Sequence, residues 1–102
     1  MINPGMLKKL KKMQDDMMKA QQELDNSTFV GTAGGVVSIE IKGTKEVLSV
    51  KIQKEAVDPD DVSLLEDMIL AALNDAMKQV DTKTKEVMEP YTKGLPGMGG
   101  MF

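Results

Sequence analysis

Apolar residues in the first part of the chain fall at Met6, Leu10, Met13, Met17, Ala20 and Leu24, spaced alternately by four and three. That spacing is a heptad seam on a helix, narrower than the stripe a globular core demands. Asn3 and Pro4 supply an N-cap and a first helical residue. Asp25, Asn26 and Ser27 supply the stop. The predicted helix, 4–25, is roughly 33 Å long. It is too long and too thinly striped for a small core to wrap, so it is expected to project and to pair with another helix.

The period then changes from helical to alternating. Phe29 to Thr32 predicts a short strand, followed by an Ala33-Gly34-Gly35 turn. Val36 to Ile41 alternates, with Val37, Ile39 and Ile41 on one face. Lys42-Gly43-Thr44-Lys45 turns the chain back. Val47 to Ile52 alternates again, with Leu48, Val50 and Ile52 expected inward and Val47, Ser49 and Lys51 outward. Three strands joined by glycine turns read as an antiparallel meander with one buried face.

Asp58-Pro59-Asp60-Asp61 predicts a second helix start, with Asp58 as N-cap and Pro59 first inside. From Leu64 to Met77 this helix is apolar over much of its circumference, which implies contact on more than one side. One side can cover the sheet. For the other, a second subunit is the simplest partner, and Leu65, Met68, Ile69, Ala72, Leu73 and Ala76 are the expected dimer contacts. After Val80 the stripe thins to Val87, Met88 and Tyr91, so this half can pair with the first helix as an arm. Pro90 is expected to kink or stop it. From Lys93 the chain turns to Gly, Pro, Met, Leu and Phe, a composition that predicts a flexible tail over 93–102. The rest, 1–92, reads as a single α-β-β-β-α domain of class α+β.

Composition narrows the chemistry. Cys, His, Trp and Arg are absent from the 102 residues. Without Cys or His there is no thiol nucleophile, no Ser–His–Asp triad and no ordinary zinc site. The acids Asp58, Asp60, Asp61, Glu66 and Asp67 are explained by capping and a solvated face, and they lack the spacing of a calcium loop. No enzyme, cofactor or metal is expected. No apolar run is long enough to cross a bilayer and no signal peptide opens the chain, which predicts a cytoplasmic protein. Most of the ten Met lie on helical stripes and read as core filler. Met18 lies off the seam and is expected to be exposed.

Charge is unevenly spread. Residues 1–54 carry nine Lys and six acids, whereas residues 55–102 carry four Lys and ten acids. Lys8, Lys9, Lys11 and Lys12 sit within five positions, off the apolar seam. Such a cluster is either a solvated face or a phosphate-facing patch. With Lys19 they are the candidate contacts to double-stranded DNA. Base readout is expected to be poor, because Arg and a recognition-helix motif are both missing.

Several segments together resemble the YbaB/EbfC family of bacterial nucleoid-associated proteins. These are Met6–Met13 with Gln14 and 17–22, Ala33-Gly34-Gly35-Val36-Val37, and Gly43 to Ile52. Asp58 to Asp61, Leu64 to Asp67, Ala71 to Ala76 and Leu95-Pro96-Gly97-Met98 complete the set. The resemblance implies an α–β–β–β–α chain that forms a tweezer-like homodimer. It also implies DNA binding with little sequence preference in the nucleoid. Genes of that family commonly neighbour those for a clamp-loader subunit and RecR. An adaptor that grips replication or recombination proteins is therefore the alternative reading.

Overall fold

The computed structural model describes residues 3–92. The expectation for the 93–102 tail lies outside the described residues. Helix α1 spans Pro4–Asn26, strands β1, β2 and β3 span Thr28–Ala33, Val37–Lys42 and Val47–Ile52, and α2 spans Val62–Thr92. A single 3-10 turn at Lys54–Ala56, which the periodicity does not announce, leads from β3 toward α2. The strands form one antiparallel sheet in the order β1-β2-β3. Gly34 and Gly35, at φ 58 and 71, are the pair of left-handed residues that a tight hairpin needs, and the Val36 N–H closes the turn on Ala33 O at 3.2 Å.

The buried core is the face formed by Val37, Ile39 and Ile41 with Ala72, Ala76 and Val80 of α2. Helix α2 packs on β1 and β2. It comes so close at Gly31 that a Cβ there would collide with Ala72 O and lie 2.8 Å from Ala76 Cβ. Small residues on both elements make this approach possible. A helix is about 10–12 Å across and strands are about 4.8 Å apart, so one helix covers about two strands.

That width corrects the expectation for β3. Val50 and Ile52 pair with Ile39 and Val37 and so share the apolar face of the sheet. They nevertheless remain 49% and 39% exposed, and Leu48 is exposed too, because α2 does not reach them. The sheet's two edges also differ. Asp75 accepts from Thr32 N–H at 3.1 Å and Gln79 donates to Val30 O at 2.9 Å, so α2 side chains guard β1. Among the described residues no side chain does the same for β3.

The start of α2 corrects one expectation. Helix α2 begins at Val62 rather than Pro59, because Asp58 is spent on a turn, accepting from Asp60 N–H at 2.9 Å. Asp61 takes the capping role and accepts from Leu64 N–H at 3.3 Å. Pro90 does not stop the helix, which is described through Thr92.

Candidate nucleic-acid interface

The lysine cluster stands on α1, and local chemistry explains why that segment is a rigid rod. Asn3 accepts from Met6 N–H at 2.8 Å and Pro4 occupies the first turn. At the other end Ser27 N–H returns to Leu24 O at 3.1 Å, and Ser27 Oγ donates to Glu23 O at 2.7 Å. The root of the rod is held by the β2–β3 hairpin. Gly43 N–H donates to Ser27 O at 2.9 Å, and a Cβ on Gly43 would collide with Leu24 O. The hairpin reaches α2 through Lys45 Nζ and Asp81, 3.0 Å apart, an exposed pair that adds little stability.

From this root α1 runs beside the C-terminal half of α2. Leu24 is buried, and Met13 and Ala20 are half-buried, as a seam facing a partner helix requires. Toward its start the seam loses cover, and Met6, Leu10 and Met17 are exposed. The molecule is accordingly long, 70 × 26 × 16 Å. Its radius of gyration is 19.5 Å, against about 13 Å for a compact chain of this size. Sheet and arm are distinct parts of one elongated body.

Lys8, Lys9, Lys11, Lys12 and Lys19 are all exposed, and among the described residues none of them forms an ion pair. By helical periodicity Lys8, Lys11, Lys12 and Lys19 lie opposite the seam. Lys9 is seven residues before half-buried Asp16 and so belongs to the seam's flank. It is exposed because it lies on the stretch of α1 where the seam has lost its cover. Residues 4–14 contain four Lys and no acid, whereas α2 carries three Lys and six acids. The arm is therefore positive at the start of α1 and negative along α2. Met18 is exposed, as expected.

The expected dimer contacts fare differently. Ala72 and Ala76 are 0% exposed within the single chain, spent against Gly31, and so are not available to a partner. Leu65, Met68, Ile69 and Leu73 are partly buried and pack on the same core. Open apolar surface lies on β3, at Val47, Leu48, Val50 and Ile52, and also on α2, at Val62, Leu64 and Leu70. The sequence carried a signal for the β3 surface: three alternating strands were to be covered by one helix.

A family model described as the YbaB/EbfC DNA-binding family matches residues 2–95. The chain belongs to that family. Among YbaB/EbfC relatives, a nucleoid-associated protein of Oceanobacillus iheyensis is 50% identical over 99 residues, 96% of this chain and 94% of that one. A nucleoid-associated protein of Bacillus cereus strain B4264 is 49% identical over 88 residues, 85% of this chain and 81% of its own. One from Ruminiclostridium cellulolyticum is 45% identical over 99 residues, 96% of this chain and 86% of its own. The solved structure of Helicobacter pylori protein HP0035 shares the fold, with TM-score 0.71 and 19% identity over 89% of this chain and 98% of that one. No helix among the described residues is long and apolar enough to cross a membrane.

Proposed function

We propose that this YbaB/EbfC protein is a nucleoid-associated homodimer that grips double-stranded DNA between or along its arms, with little sequence preference. The observation that carries the reading is the run of exposed lysines, without ion pairs among the described residues, on a rigid helix that stands clear of the core. Such ammonium groups neutralise phosphates and release counterions, a favourable term that does not depend on sequence. Lysine is a point charge without the planar fork that reads guanine, so base discrimination is weak. The acidic α2 repels a duplex, which leaves the α1 side of the arm as the contact face.

Two copies are needed to cover β3. A two-fold axis would set the Leu48, Val50 and Ile52 row of one chain against the same row of the other, a self-complementary joint. Exposed apolar patches of this kind mark interaction sites, and an unguarded edge strand marks a place where another chain can pair. The dimer then carries two lysine-bearing arms and gains from binding both at once. The names of the relatives support a place in the nucleoid, within the cytoplasm.

The test is a comparison of two duplexes of equal length, one A·T-rich and one G·C-rich. Affinities are expected to agree within about threefold at the same salt, since phosphate contacts carry no base information. A preference of about a hundredfold or more would point to base readout instead. The adaptor reading would be favoured by salt-insensitive capture of a replication or recombination protein with no DNA shift.

A further inference from the structure

We propose that the outer face of α1 in one copy docks on the exposed flank at the start of α2 in another copy, a contact separate from β3. Among the described residues the four most exposed large apolar side chains are Met18, Leu70, Val62 and Leu7, at 62%, 58%, 56% and 55%. None of them belongs to the buried core, the arm seam or β3. Helical periodicity gathers them into two stripes. On α1, Leu7, Lys11 and Met18 stand at i, i+4 and i+11, roughly 100–140° around the helix from the seam. On α2, Val62, Glu66 and Leu70 stand at i, i+4 and i+8. Each stripe is a pair of uncovered apolar side chains with one charge between them, and the two charges are opposite.

The surroundings carry the same complementarity. Residues 4–14 hold four Lys and no acid, whereas residues 55–77 hold seven acids and no Lys. Asp15, the acid beside the α1 stripe, stands one turn from Lys19. Lys8, Lys11, Glu66 and Asp67 are exposed and form no ion pair among the described residues. Laid antiparallel, Leu7 meets Leu70 and Lys11 meets Glu66, each one turn or about 6 Å along its helix. The long, adaptable Met18 side chain then reaches toward Val62. Within one chain the two stripes cannot meet. Tyr91 shares a groove with Leu10 and Met13, whereas Lys45, beside the root of α1, pairs with Asp81. The helices of the arm therefore run antiparallel, and Val62 lies about 43 Å along α2 from Tyr91. The start of α1 and the start of α2 are opposite ends of a 70 Å body. A second copy fits as the occupant because every chain carries one face of each kind. Such a contact is heterologous, so repetition links copies in series or closes a ring. Stripes this short fall below the about 1,200 Å² of a stable interface, which makes the contact weak and reversible. The inference does not rest on DNA binding, although Lys8 and Lys11 serve in both.

The test is sedimentation equilibrium without nucleic acid, at about 0.02 M and at about 0.5 M salt, where screening shortens to about 4 Å. The weight-average mass at low salt is expected to be at least about 1.5 times that at high salt, since only the charged contact is screened. The ratio is read against the high-salt particle whatever its copy number, so failure of the β3 joint would not change it. Equal masses would overturn the proposal. Lys8→Glu with Lys11→Glu, and separately Glu66→Lys with Asp67→Lys, are each expected to stay at the high-salt mass. Mixed in equal amounts, the two variants are expected to associate as the wild type does, because each then finds faces of opposite charge. Leu70→Gln alters no charge and is also expected to bring the low-salt mass down to the high-salt value. All five positions are exposed, and Glu, Lys and Gln are good helix formers, so circular dichroism should match wild type. Should either charge variant unfold, Leu70→Gln decides alone. A folded charge variant that associates by itself, a mixture of folded variants that does not associate, or wild-type behaviour of Leu70→Gln would each overturn the proposal.

Discussion

A protein carrying Val50→Asp is expected to sediment as a folded monomer under conditions in which the wild type is expected to sediment as a dimer. Val50 is half-exposed in the single chain, so an aspartate there costs the monomer only about 0.5 kcal/mol. In a joint made of the Leu48, Val50 and Ile52 rows, two unpaired carboxylates would lose their water. A buried unpaired charge costs about 3 kcal/mol or more, which raises the dimer Kd about 100-fold. Loss of the second arm should weaken DNA binding about 100-fold as well, through lost avidity. Circular dichroism must show an unchanged fold. A folded Val50→Asp variant that remains dimeric at micromolar concentration would move the joint away from β3. Leu73→Asp is a poorer probe, because Leu73 packs on the chain's own core and its loss would unfold the monomer.

Replacing Lys8, Lys9, Lys11 and Lys12 together by Gln is expected to abolish most DNA affinity at moderate salt while leaving the melting temperature nearly unchanged. The four side chains are exposed and form no ion pair among the described residues, so they contribute little to folding. Gln and Lys have similar helix propensity. Each phosphate contact removed takes away the release of about 0.9 counterion, and a dimer loses them on both arms. The loss is expected to be the same for every duplex sequence. Wild-type binding by the quadruple variant would reduce the cluster to a solvated face.

The elements and their order were legible in the sequence because each carried its own period and punctuation. Asn3-Pro4 and Ser27 bracketed α1 to within a residue, and the two glycine-bearing turns set the meander. What periodicity cannot give is which surface covers which. Alternation showed that Val50 and Ile52 lie on an apolar face, but the cover depends on the width of α2 and on its seating over Gly31. For the same reason Ala72 and Ala76 read as surplus apolar surface, when close packing against a glycine consumes them completely. The lysines were legible as a cluster. Their freedom from ion pairs was not, since Asp15 and Asp16 stand at i+4 from Lys11 and Lys12, a spacing that often pairs.

If exposed arm lysines bind DNA by neutralising phosphates, wild-type affinity for a random duplex must depend steeply on salt. With about four to six phosphates neutralised, log K is expected to fall against log salt with a slope near −4 to −5. A slope close to zero, or no measurable binding at low salt, would show that the arm lysines do not hold DNA through its phosphates.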